Sequence, residues 1–314
     1  MISILTIIAP VFGIIALGYY SGRSEYLSEA AGRGVAEFAF NITIPALLFR
    51  TILQAKFEGV AGLGILASFF GSAAIVWALS AIATRVVLRR PAIDGPSIAM
   101  CSVFGNTIML GLPIGLATFG ADALAPISVI LAVHAPVFLL SAALHSAAVA
   151  ERDGETLGSA LASIMSQLAR QPIIVAIALA GLWRLSAIAV PVPLLAMVDM
   201  LAKAGVPAAL IALGLSLQTF ELRGDAATLT VMLVLKLLAL PLIAGLLAIG
   251  VFRLPQLSAE VVVLMAALPA GANAYLFSVK NGRAMNSASG AVALGTAISA
   301  LTLALLIVAF GSLG

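Results

Sequence analysis

The sequence predicts an all-α membrane protein, with ten transmembrane helices arranged as two inverted five-helix repeats and with the fourth and ninth helices broken. Three observations predict it. The chain has 314 residues, 62% hydrophobic and 9% charged, with a mean hydropathy of +1.19. A soluble domain carries about 25% charged residues, so this composition belongs to a polytopic membrane protein. Its apolar residues fall into ten runs, near 2–20, 34–53, 60–84, 96–119, 123–149, 172–190, 196–219, 227–252, 260–279 and 287–312. Two of these runs carry a proline, glycine and a lone asparagine, none of which an unbroken spanning helix needs.

In chain order, the run from Ile2 to Tyr20 has no basic n-region and no small-residue cleavage site, so it reads as a retained first span. The longest polar break is Glu151-Arg152-Asp153-Gly154-Glu155, followed by a weakly amphipathic piece from Leu157 to Arg170. It splits the spans five and five: a first repeat over 1–150, a cytoplasmic linker over 151–171 and a second repeat over 172–314. The odd-numbered loops hold Arg23, Arg33, Arg85, Arg89, Arg90, Arg152, Arg170, Arg223, Lys280 and Arg283, ten in all. The even-numbered loops hold four, Arg50, Lys56, Arg184 and Arg253. An excess of Lys/Arg marks cytoplasmic loops, so both termini are expected on the periplasmic side of the inner membrane.

The halves repeat. Pro10 and Pro172 stand 162 residues apart, as do Pro45 and Pro207, Glu37 and Asp199, and Asn41 and Lys203. Glu37, Asn41 and Pro45 share one face of the second span at i, i+4 and i+8, and Asp199, Lys203 and Pro207 share one face of the seventh. Five spans is an odd number, so the second half enters the membrane in the opposite direction from the first, the inverted-repeat architecture.

The fourth run contains Gly105-Asn106-Thr107-Ile108-Met109-Leu110-Gly111-Leu112-Pro113, and the ninth contains Leu268-Pro269-Ala270-Gly271-Ala272-Asn273-Ala274-Tyr275. Non-helical backbone survives at membrane depth only where protein or a lined cavity satisfies it. Interrupted spans in corresponding positions of two halves point to a midplane site. Half-helix N-termini there offer unpaired N–H groups and about half a positive charge each, which suits an anion. Asn106 and Asn273 add neutral amide donors.

At these residues the chain resembles the auxin efflux carrier family. Phe40-Asn41-Ile42-Thr43-Ile44-Pro45-Ala46-Leu47-Leu48-Phe49 is similar to its second-span motif, and Gly105-Asn106-Thr107 through Gly111-Leu112-Pro113 to its fourth. Leu268-Pro269 through Asn273-Ala274-Tyr275, with Leu294-Gly295-Thr296-Ala297-Ile298-Ser299, resembles its last two spans. The resemblance covers nearly the whole chain, and it implies the ten-span fold shared with bile acid/sodium symporters, the fourth and ninth spans crossing at the site. It also implies a carrier of small organic anions: auxin in plants, dicarboxylates such as malonate or malate in bacteria. The chain departs from the family at Ile108, where many members have glycine, and in its short central loop, which favours the bacterial malonate-carrier-like branch.

The expected substrate-binding residues are therefore Asn106, Thr107, Ile108, Pro113, Pro269, Gly271, Asn273, Tyr275, Asn41 and Pro45. Lys236, Lys203, Asp199, Glu37 and His134 are supporting or coupling candidates, because charge inside a span is costly and has to face protein or water. Asp199 and Lys203, four apart, read as a mutually neutralising pair. For Lys236 two readings stand level, attraction of substrate and a tie to the end of a neighbouring helix. His134 reads first as a packing residue and second as part of a proton relay.

The remaining classes are weaker. A single cysteine, Cys101, excludes an intrachain disulfide or cysteine metal cluster, and no His-Glu-x-x-His motif occurs. No cofactor is expected, no basic cluster carries the interleaved aromatics of a nucleic-acid binder, and no motif sets a histidine against Ser287 or Ser289 for intramembrane hydrolysis. Expected partners are a small carboxylate, the bilayer and, as an option, a second copy of the chain. The rival readings are a sodium-coupled bile-acid-type symporter and, behind it, a channel or an intramembrane enzyme. A topology reporter fused at Gly154 should report cytoplasm, and one at Gly314 periplasm; a periplasmic signal at Gly154 would overturn the orientation.

Overall fold

The computed structural model describes residues 4–54, 61–149, 166, 170–186, 188–220 and 225–313. The linker expected over 151–171, with Gly154, lies almost wholly outside the described residues. All regular structure among the described residues is helical. The α-helices are α1 (Ile4–Arg23), α2 (Glu29–Phe38), α3 (Ile44–Gln54), α4 (Gly62–Val86), α5 (Gly95–Val103), α6 (Leu112–Phe119) and α7 (Leu124–Val149). They continue as α8 (Pro172–Leu185), α9 (Val192–Leu217), α10 (Ala226–Val234), α11 (Leu240–Gly245), α12 (Gln256–Ala267), α13 (Ala272–Asn281) and α14 (Met285–Leu313). Six helical stretches among the described residues are long and apolar enough to cross a membrane, and α8 and α12 are shorter apolar helices. With no water at depth, a helix is the form that satisfies its own backbone, and this composition offers little else.

Local chemistry sets the helix ends. Ser28 caps α2 by accepting from the Ala31 N–H, and the Asp225 carboxylate caps α10 by accepting from the Ala227 and Thr228 N–H groups. The Thr228 hydroxyl, then its N–H, hold the Asp225 carboxyl below its ordinary range.

Prolines account for a second feature. Turns of π-helix at Ala39–Thr43, Thr107–Gly111 and Leu235–Ala239 each stop two residues short of a proline, Pro45, Pro113 and Pro241. Proline donates no hydrogen bond and crowds the carbonyl four residues back. Widening the preceding turn to i→i+5 bonding relieves both, as in Ile44 N–H to Ala39 carbonyl. Asn41, Thr107 and Lys236 all sit in such widened turns.

One turn occurs twice. After α4, Leu88 N–H donates to the Ala83 carbonyl and Arg90 N–H to that of Thr84, at 2.9 Å each. Arg89 has φ +51°, and Pro91 then leads towards α5. At the end of the π turn Leu246–Val251, Phe252 N–H donates to Leu247 and Leu254 N–H to Ala248, at 2.8 and 2.9 Å. Arg253 has φ +46°, and Pro255 leads into α12. The two Arg-x-Pro turns stand 164 residues apart.

The helices cluster into two compact units, each drawn from both halves of the sequence. The first comprises residues 1–60, 108–132 and 166–219. Within it α9 packs along α1 and α3, and α3 along α8. The α1–α9 approach is close because glycine lines it: a Cβ on Gly214 would stand 2.0 Å from the Ile15 carbonyl oxygen, and one on Gly18 2.5 Å from that of Ile211. Arg50 of α3 is ion-paired with Asp199 of α9, and Arg184 donates to the Ile52 carbonyl at 3.1 Å. The pair expected between Asp199 and Lys203 is therefore corrected: Asp199 takes the guanidinium across the helix interface, and Lys203 is exposed.

The second unit comprises residues 61–107, 133–165 and 220–314. In it α4 packs on α5, α11 and α12, and α13 on α5 and α14. At one end of these helices Asp94 is 5% exposed and meets Arg90 at 3.1 Å and Arg283 at 3.7 Å, while Arg90 also lies 3.7 Å from Asp225. This network ties the starts of α5 and α10 to the turn between α13 and α14.

The glycine contact gives a test. Gly214→Val must move a backbone carbonyl, so it should lower stability by about 1–3 kcal/mol or more. Gly13, with nothing within 4 Å of its Cβ position, should accept alanine without loss. Melting of the two purified variants checks both.

Candidate functional site

The site is built on two interruptions in the second unit. Helix α5 stops at Val103, and Phe104–Asn106 run non-helically before the π turn at Thr107. Helix α12 stops at Ala267, and Leu268–Gly271 run non-helically before α13. The two stretches lie antiparallel and pair through Gly105 and Ala270. Asn106 N–H donates to the Pro269 carbonyl at 2.8 Å, and Gly271 N–H to the Phe104 carbonyl at 2.9 Å. Each break thus supplies what the other lacks. Glycine is needed for the approach, since a Cβ on Gly271 would stand 3.2 Å from the Gly105 carbonyl oxygen and 3.4 Å from the Asn106 Cα.

The break is narrower than the stretch 105–113 suggests. Pro113 is not part of it; it is the second residue of α6, following the π turn that accommodates it. Leu268 leaves α12 with ψ 148°, as expected of a residue before proline. Gly271 caps α13, placing Asn273 in its first turn, where Ala274 N–H donates back to the Gly271 carbonyl at 3.0 Å.

The expected site residues divide by unit. Asn106, Thr107, Pro269, Gly271, Asn273, Tyr275, Lys236 and His134 belong to the second. Of these, Asn106 and Thr107 are buried, at 7% and 2% exposure, whereas Asn273 is exposed. Tyr275 is half-buried, edge-on to Phe220 with ring centroids 5.1 Å apart. Ile108, Pro113, Asn41, Pro45, Glu37, Asp199 and Lys203 belong to the first. Asn41 and Glu37 are exposed there, and Pro45 and Pro113 are buried.

Lys236 is 2% exposed, and its ammonium donates to the Ala266 carbonyl at 2.7 Å. Ala266 is the penultimate residue of α12, so its carbonyl is one of the four that a helix end leaves unpaired. The cation also meets the negative end of the α12 dipole. The same ammonium lies 3.5 Å from where a Cβ on Gly105 would stand, so it is held against the paired breaks as well. Of the two readings of Lys236, the helix-end tie is the one that this hydrogen bond supports.

An aromatic cluster that sequence reasoning missed adjoins the Phe104–Asn106 stretch. The His134 ring stands edge-on to Phe104 at 4.5 Å and Phe138 at 4.9 Å, with Phe69 at 6.0 Å. His134 is 3% exposed, and its Nε2 has no hydrogen-bond partner among the described residues. Phe104 joins this cluster to the breaks, because its carbonyl accepts from Gly271. The available signal was its place beside Gly105.

Helical apolar spans and paired interruptions define a membrane transport protein. The family model described as "Membrane transport protein" matches residues 3–307, and the chain belongs to that family, the auxin efflux carrier family. It is 26% identical over 306 residues to the "Putative malonate transporter" of Rhizobium meliloti (strain 1021), covering 96% of this chain and 94% of the relative. It is 24% identical over 309 residues to an "Uncharacterized transporter" of Methanothermobacter thermautotrophicus (strain Delta H), covering 95% of each.

Lys236→Met leaves the Ala266 carbonyl buried without a partner, which should lower stability by about 1–3 kcal/mol. Thermal melting of the purified variant checks this, and an unchanged midpoint would show that the ammonium contributes nothing to the fold.

Proposed function

We propose that this protein is a secondary carrier that moves a small organic anion, a mono- or dicarboxylate of the malonate kind, across the inner membrane by alternating access. In this reading the chain forms ten spans in two inverted repeats, and the substrate binds beside the pairing of Phe104–Asn106 with Pro269–Gly271. That pairing is the observation that carries the reading. It joins corresponding breaks of the two halves, and one helical segment restarts beyond each break, at Thr107 and at Ala272. Two restarting segments near one point supply unpaired N–H groups to a carboxylate that has lost its water. The recurrence of the Arg-x-Pro turn 164 residues on supports the repeat. The name of the Rhizobium relative supports malonate as the first substrate to try.

Asn106 and Asn273 bind the anion through neutral donors, which favours release as well as capture. The Lys236 terminal nitrogen already occupies the α12 carbonyl end, and no carboxylate belongs to either break. Amide and carbonyl oxygens are present there but no carboxylate, so the driving force is open between membrane potential and protons, with sodium ranked behind them. The termini are periplasmic, as the distribution of Lys/Arg favours.

The experiment is uptake and binding with purified protein in proteoliposomes, using a panel of mono- and dicarboxylates. Asn106→Ala and Asn273→Ala should each weaken substrate binding by about 1–3 kcal/mol, tenfold or so, with little change in melting. Unchanged affinity with clearly lowered melting in both would refute the site. Replacing sodium by choline should leave transport intact; strict sodium dependence would shift the reading to a bile-acid-type symporter.

A further inference from the structure

A second polar feature of the second unit lies away from the paired breaks, where the last turns of α4 and α7 meet the start of α5. A groove of about 320 Å³ opens there. Arg85 and His145 line it together with apolar side chains, among them Ile82, Val86 and Val149. Among the described residues no carboxylate lines it. The acid next in sequence, Asp94, is engaged by Arg90 and Arg283, and its side chain is 8% exposed.

The histidine is oriented. Trp77 Nε1–H donates to His145 Nδ1 at 3.1 Å, across 68 residues of chain. A nitrogen that accepts carries no proton, so in the neutral ring the proton is on Nε2. The Cε1–Nε2 edge lies over Gly95, whose missing side chain leaves it uncovered: a Cβ there would come within 3.0 Å of Cε1 and 3.2 Å of Nε2. Arg85 is exposed in the last turn of α4. Two donors therefore face one groove.

The walls indicate what the donors meet. Ile82 and Val86 are 58% and 69% exposed along α4, which with α7 belongs to the helices suited to a bilayer. A small free anion would leave those walls wet, whereas a molecule with an anionic head and acyl chains covers both. Tryptophan favours the level of the lipid headgroups, and basic pockets between spanning helices on the cytoplasmic side bind anionic headgroups. The groove adjoins the loop bearing Arg85, Arg89 and Arg90, the side that the Lys/Arg distribution makes cytoplasmic.

We propose that this groove is a binding site for one anionic phospholipid, its phosphate held by the Arg85 guanidinium and His145 Nε2–H and an acyl chain lying along Ile82, Val86 and Val149. The site is separate from the proposed carboxylate site and stands whether or not that reading holds.

Delipidated full-length protein, titrated with phosphatidylglycerol and with phosphatidylcholine and followed by native mass spectrometry, tests it. One phosphatidylglycerol should bind about tenfold more tightly than phosphatidylcholine, with inorganic phosphate unable to displace it. One cation near the membrane surface is worth roughly a fivefold change in lipid affinity. Arg85→Gln should reduce the preference by about that factor, and His145→Phe, which removes a neutral phosphate donor, should weaken binding of both lipids. Arg85 is exposed, so its variant tests the site even if His145→Phe fails to fold. Equal retention of the two lipids, an undiminished preference in Arg85→Gln, or displacement by inorganic phosphate would overturn the proposal.

Discussion

Everything near the paired breaks depends on one constraint: a backbone N–H or C=O in the interior of a membrane helix unit needs a partner, and water does not provide it. Opening a helix at Phe104–Asn106 exposes such groups, and so does opening one at Leu268–Gly271. The two openings answer each other through Asn106 N–H to Pro269 and Gly271 N–H to Phe104. What remains unpaired is taken up separately. Lys236 takes the Ala266 carbonyl at the end of α12. At the start of α13, Ala274 N–H turns back to the Gly271 carbonyl at 3.0 Å.

Proline acts in two ways in this chain, and the difference explains where the breaks fall. Pro269 belongs to a break, and the residue before it is extended. Pro45, Pro113 and Pro241 instead follow widened turns within continuing helix, and Pro136 and Pro207 lie inside helices α7 and α9. A missing N–H therefore costs the helix a π turn in one place and continuity in another. At the paired breaks it is Gly271 that permits the close approach, since a Cβ there would stand 3.2 Å from the Gly105 carbonyl oxygen.

Much of the fold was legible because apolar length and polar punctuation are strong local signals. Six helical stretches among the described residues are long and apolar enough to cross a membrane, and the non-helical stretches at 104–106 and 268–271 fall within or beside the motifs picked out by proline, glycine and asparagine. The break at 105–113 was read too broadly, since sequence alone does not reveal that a π turn absorbs Pro113. Asp199 was assigned to Lys203 on i, i+4 spacing. The guanidinium that takes it, Arg50, lies 149 residues away, and only packing of α3 on α9 brings it close. The His134 cluster was hidden for the same reason: Phe69, Phe104 and Phe138 come from separate stretches, and in an apolar chain an aromatic residue carries little information by itself.

Lys236 has a further consequence for any carrier built this way. An ammonium covalently attached to the chain satisfies the α12 carbonyl whether or not substrate is present. A dissociable cation would leave that carbonyl bare each time it departed, and would have to be rebound in every cycle. In this chain the Lys236 side chain reaches that carbonyl from π segment to helix end, across 30 residues, and needs no ion to do so.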